Sequence, residues 1–111
     1  MRNNRLYLQH IHDALEKIAA YTQDGREAFR RNPMAQDAVI RNFEIIGEAS
    51  KQLGDEIKNQ EPGIPWRSVS GFRDVLIHNY MGVDLDEVWN VVQNHIPALR
   101  EAIRRLLDAT K

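Results

Sequence analysis

One stretch of the sequence gathers side chains that can move protons and hold anions: Arg73-Asp74-Val75-Leu76-Ile77-His78-Asn79-Tyr80. Asp74 and His78 stand four apart, which on a helix stacks them on one face. A carboxylate so placed can accept a hydrogen bond from the imidazole, fix its tautomer and favour its charged form. Arg73 and Tyr80, seven apart, also fall nearly in line. Arg73 and His78, five apart, lie about 140° around an ideal helix, so a long arginine or a distorted helix end is needed to join them. Residue types alone leave a plainer arrangement open. A histidine near a helix C-terminus is favoured by the helix dipole. Asp–His pairs at this spacing are common on solvated surfaces, and Tyr80 can close a core.

The elements that must position this stretch are helical. Leu8, Ile11, Leu15 and Ile18 recur at three- and four-residue steps, and Thr22-Gln23-Asp24-Gly25 reads as the exit. Arg26 to Arg31 offers only Phe29 for burial and suits a short extra helical turn. Asn32-Pro33 opens a second long helix, with Asn as N-cap and Pro at the first position. It carries Ala35, Val39, Phe43, Ile46 and Leu53, with Gly54 as its stop. Gly47 inside it should cost about 1 kcal/mol relative to alanine, which close packing of a neighbouring helix would explain. Glu61-Pro62-Gly63-Ile64-Pro65 is a rigid turn. A third helix then runs through Trp66, Val69, Phe72, Val75, Leu76 and Ile77, and Met81-Gly82-Val83 ends it. Asp84 is a good N-cap for a fourth, with Glu87 three residues on. That helix carries Val88, Val92, Ile96, Leu99, Ile103 and Leu106, and Pro97 should kink it or open one turn. The expected fold is all-α: an antiparallel four-helix bundle with a short extra turn, one domain over residues 1–111.

Size and charge narrow the function. The 111 residues hold one core, and a formal net charge of -1 argues against holding nucleic acid by bulk electrostatics. The absence of cysteine removes disulfides and thiolate metal sites and fits a reducing cytosol. No apolar run approaches the roughly 20 residues of a membrane span, and Met1 to Leu6 offers no secretory segment, so a cytoplasmic protein is expected. Other constellations are poorer. His10 and His12 point to nearly opposite sides of a helix, and Glu44 and Glu48, four apart, have no histidine beside them, so no metal site or cofactor is expected. Arg100, Arg104 and Arg105 form a basic strip suited to dipole compensation, with a contact to RNA phosphate as the alternative. Trp66 and Trp89 are expected in the core rather than stacked on bases.

The string Arg73-x4-His78-x-Tyr80, with Asp74 after the arginine, resembles the signature of HEPN domains of the HepT-like toxin branch. Asn42-Phe43-Glu44-Ile45-Ile46-Gly47-Glu48-Ala49 resembles that family's second helix. Pro62-Gly63-Ile64-Pro65-Trp66-Arg67, followed by Gly71-Phe72-Arg73, resembles its entry into the motif helix. Val83-Asp84 to Val88-Trp89 resembles its fourth helix. The likeness covers essentially the whole chain.

The resemblance implies metal-independent endonucleolytic cleavage of RNA, by attack of the ribose 2′-hydroxyl on the adjacent phosphate. His78 would serve as general acid or base. Arg73 would hold the charge of the phosphorane with its guanidinium fork, and Asp74 would support them. One chain has one such histidine where the reaction wants an acid and a base, so a homodimer with a composite site is implied. Gly71 and Gly82 flank the motif and would help two backbones approach, or serve only as local turn devices. The family also implies a toxin of a type VII-like toxin–antitoxin system, whose partner is a minimal (MNT-type) nucleotidyltransferase that modifies Tyr80 with AMP. The alternative is a non-catalytic helical module that binds such a transferase.

Overall fold

The computed structural model describes residues 3–77, Gly82 and 84–110. Among these the ordered elements are all helices: α1 (Asn4–Thr22), α2 (Arg26–Arg30), α3 (Pro33–Gln52), α4 (Asp55–Lys58), α5 (Trp66–Ile77), α6 (Leu85–Asn94) and α7 (Ile96–Ala109). The side chain of Asn3 starts α1 by accepting from the Leu6 amide at 3.0 Å. Asn32 does the same for α3 at Ala35, 3.1 Å away, with Pro33 behind it where no amide is needed. Asp84 caps α6 through the amides of Asp86 and Glu87.

Helix α3 packs against both α1 and α5; α7 lies on α1, and α6 on α7. The core between them contains Leu8, Ile11, Leu15 and Ile18 of α1, Val39 and Ile46 of α3, and Ile103 and Leu106 of α7, all essentially inaccessible to solvent. Each such side chain contributes roughly 1.5–3 kcal/mol by leaving water. Phe29 of α2 is also buried and stacks obliquely on Trp89, with ring centroids 5.5 Å apart. Trp66 packs on the core and donates its indole N–H to the carbonyls of Lys58 and Glu61 at 3.1 and 3.2 Å. Both tryptophans therefore anchor packing, as expected.

Three details differ from the sequence reading, and one expectation takes a sharper form. A second short helix, α4, follows α3, because Gly54 does not terminate α3 in a left-handed conformation. It is extended (φ -70°, ψ 155°), acts as the N-cap of α4, and donates its amide to Asn4 Oδ1 at 2.9 Å. The break expected at Pro97 is present as a full interruption: α6 ends at Asn94 with His95 as its cap, and α7 starts with Pro97 in its first turn, where the missing amide costs nothing. Val75 is 60% exposed although it falls within the apolar pattern of α5, whose packed side is carried by Val69, Phe72 and Leu76. Finally, the three arginines of α7 do not form a free basic strip. Arg100 pairs with Glu16 of α1 at 2.8 Å, Arg104 with Glu101, and Arg105 donates through Nε and Nη2 to both oxygens of Glu61 at 2.9 and 2.7 Å. Those hydrogen bonds hold the Glu61 carboxyl below the usual glutamate range and push the Arg105 guanidinium up. No helix among the described residues is long and apolar enough to cross a membrane.

Candidate functional site

Arg73 is placed by the meeting of α3 and α5. A Cβ built on Gly47 would lie 2.5 Å from Arg73 Cβ, a distance real side chains do not tolerate, so only glycine lets α5 press this close to α3. Phe43 and Phe72 lock the same contact edge to face, with centroids 5.2 Å apart. The glycine that is unfavourable for helix formation thus fixes the root of the arginine. Beyond it, the guanidinium reaches the surface with its side chain 29% exposed.

There it is flanked by carboxylates. Arg73 Nε lies 3.4 Å from Glu48 Oε2, and its Nη1 donates to Asp74 Oδ1 at 3.3 Å. Asp74 also faces Lys51 Nζ at 3.6 Å. The chain Glu48–Arg73–Asp74–Lys51 alternates in charge across α3 and α5. Asp74, expected as the partner of His78, is engaged with two cations. His78, Tyr80 and their mutual geometry lie outside the described residues, as do Met81 and Val83. Gly82 has φ +106°, a conformation that favours glycine and suits a local turn device. Gly71, by contrast, is helical and faces open space.

Arg73 also forms one wall of a cleft of about 230 Å³ between α1, α3 and α5. Tyr7 and His10 of α1 and Arg41, Glu44, Ile45, Glu48 and Ala49 of α3 line the rest. A larger groove of about 450 Å³, mostly apolar, runs between α5 and α6–α7 past Ile64, Val69, Phe72, Val91 and Leu99, and does not include Arg73.

The family model for ribonuclease HepT-like proteins matches residues 11–106. The chain belongs to the HepT-like family. Among curated relatives, it is 42% identical over 106 residues to the “Probable ribonuclease HepT” of Thermococcus cleftensis, covering 95% of this chain and 96% of that one. It is 34% identical over 112 residues to a “Putative RNase” of Caldanaerobacter subterraneus, with both chains fully covered. A Methanocaldococcus jannaschii protein named “Gamma-glutamylcyclotransferase and putative RNase” is 44% identical over 105 residues, 94% of this chain. The chain spans only 47% of that relative's length. No solved structure gives a significant match. Assignment to the HepT-like branch of the HEPN superfamily thus agrees with the resemblance drawn from Arg73-x4-His78-x-Tyr80.

The sequence reading missed Glu48 as the ion-pair partner of Arg73, and the cleft shared with Tyr7 and His10. The Glu44–Glu48 spacing was a signal of a common face. Arg41 pairs with Glu44 at 3.8 Å within α3 itself, whereas the pairing of Glu48 with Arg73 emerges only once α5 is laid on α3.

Proposed function

We infer that this chain is a metal-independent endoribonuclease, the toxin of a toxin–antitoxin pair, built as one HEPN domain over residues 1–111 whose long helices form an antiparallel four-helix bundle. The observation that carries the reading is Arg73: it belongs to the family's motif, it is rooted at Gly47, and it lines a surface cleft of mixed polarity. In the reaction, the ribose 2′-oxygen attacks the neighbouring phosphorus, the bond to the 5′-oxygen breaks, and a 2′,3′-cyclic phosphate remains. Arg73 stabilises the charge gathered on the phosphorane oxygens. His78 removes the 2′-hydroxyl proton, and the partner's His78 gives a proton to the leaving oxygen.

That division of labour calls for a homodimer with the motif helices lining a shared cleft. Val75, exposed on α5, and the open space at Gly71 support an approach of a second copy there. Tyr80 accepts AMP from a partner nucleotidyltransferase: the tyrosyl oxygen bonds to the α-phosphorus of ATP and pyrophosphate departs. The transferred phosphate occupies the charge site meant for RNA and silences the enzyme.

The test is cleavage of RNA by the purified chain in chelator, with end-group analysis. Cyclic phosphate ends are expected, with Arg73→Ala and His78→Ala each losing most activity at unchanged helical content. Full activity in His78→Ala overturns the assignment, and loss of wild-type activity in chelator overturns the metal-free mechanism. Incubation with magnesium, ATP and an MNT-type nucleotidyltransferase partner should add the mass of AMP to wild type and not to Tyr80→Phe. A wild type that never cleaves RNA, yet binds the transferase, is instead a helical binding module.

A further inference from the structure

The cleft beside Arg73 is lined by groups that a bare phosphate-binding site would not use. Arg41 and Arg73 attract an anion, and Glu44 and Glu48 repel one. The ring of Tyr7 meets that of His10 edge to face, 6.2 Å between centroids and 85° between planes. They form a corner on which a flat ring can lie against one face and meet the other ring's edge. The volume of about 230 Å³ equals roughly eight waters at about 30 Å³ each. That is room for about one nucleobase.

Mixed charge, an aromatic corner and this size together fit one nucleotide unit. The phosphate meets the arginines, the base stacks on the rings, and a carboxylate receives amino protons from the base edge. Glu48 is turned to Arg73 at 3.4 Å, whereas Glu44 has Arg41 only at 3.8 Å and is the freer acceptor. A carboxylate accepts the N4 amino group of cytosine. Against uracil it faces two carbonyl oxygens on either side of a single N–H.

We propose that this cleft is a nucleobase subsite for the residue next to the cleaved bond, that it stacks the base on Tyr7 and His10, and that Glu44 makes it prefer cytosine to uracil. The proposal rests on the ribonuclease reading for its place in the reaction, but the binding it asserts can be measured without cleavage. Cytidine 3′-monophosphate, uridine 3′-monophosphate and inorganic phosphate are titrated into the isotope-labelled chain, followed by amide NMR shifts. The cytidine nucleotide should bind at least about fivefold tighter than the uridine nucleotide, the lower end of one matched base-edge contact. The shifts should centre on residues 7–10 and 41–48.

His10→Ala, at an exposed position, should weaken both nucleotides. Glu44→Ala should erase the preference while leaving binding of inorganic phosphate unchanged or tighter. Equal affinity for the two nucleotides, shifts confined elsewhere, or wild-type binding by both variants overturns the subsite. Cleavage without this binding leaves the ribonuclease reading intact and removes only the subsite. Binding without cleavage keeps the subsite and removes the ribonuclease reading.

Discussion

Replacing Gly47 by alanine sets two effects of known sign against each other. Removing a glycine from the interior of α3 favours the helix by about 1 kcal/mol. The new methyl would start 2.5 Å from Arg73 Cβ, with Arg73 Cγ and Cδ at 3.4 Å, so α3 and α5 must separate. Forcing a methyl into a filled contact costs about 1–3 kcal/mol. The net loss is about 0–2 kcal/mol. For 111 residues at about 2.1 cal/mol/K each, 1 kcal/mol is about 4 °C in Tm, so the expected drop is about 0–8 °C.

Gly71→Ala supplies the reference, because Gly71 is also inside a helix and its Cβ would meet nothing within 4 Å. Melted at a dilution where light scattering reports monomer, it should gain about 4 °C. The difference between the two variants isolates the clash and should be about 4–13 °C. Activity should fall further than stability in Gly47→Ala, since a displacement near 1 Å at a reacting group can cost on the order of 100-fold. A Gly47→Ala protein that melts with Gly71→Ala and cleaves RNA like wild type would refute the argument.

Val75→Asp should abolish dimer formation in light scattering at unchanged monomer Tm, because Val75 is exposed on the isolated chain; a dimer that persists moves the interface off this face of α5. Ser50 is fully buried and its hydroxyl has no hydrogen-bond partner among the described residues, so Ser50→Ala should raise stability by about 1 kcal/mol in urea unfolding. The Glu61–Arg105 pair, with the glutamate's folded pKa below the ordinary value near about 4.3, stabilises the fold above that value and loses its effect as pH falls through the lowered one. Glu61→Gln should therefore melt slightly below wild type at pH 7, and the two curves should converge in acid; a gap that widens in acid contradicts the sign.

What the sequence made legible were features written locally. The caps at Asn32, Pro33 and Asp84, the period of Leu8, Ile11, Leu15 and Ile18, and the interruption at Pro97 each depend on neighbours within a turn or two. Helix α4 was hidden because four residues carry no period. Val75 was misplaced because an apolar residue at a plausible step says nothing about whether a neighbour covers it. The partners of Arg100 and Arg105 were not legible because Glu16 and Glu61 lie 84 and 44 residues away in sequence, whereas Glu101, the partner of Arg104, stands one turn away on the same helix. Arg73 stands out in the sequence by its motif alone. Its setting was not legible, since it required knowing that Gly47 and Glu48 face α5, a relation between distant segments.

The carboxylates around Arg73 bear on how the protein responds to salt. A surface arginine ordinarily keeps company with mobile anions, which return to solution when a polyanion arrives and make binding steeply sensitive to ionic strength. Arg73 instead carries Glu48 and Asp74 as counterions covalently part of the chain, and these cannot be released. An arriving phosphate must exchange places with a tethered carboxylate, a trade with little gain unless the rest of the ligand also fits. A polyanion of arbitrary shape thereby gains little at Arg73, and association there depends on fit more than on charge. With a net charge of -1 and so guarded an arginine, the chain has little with which to hold a polyanion by charge alone.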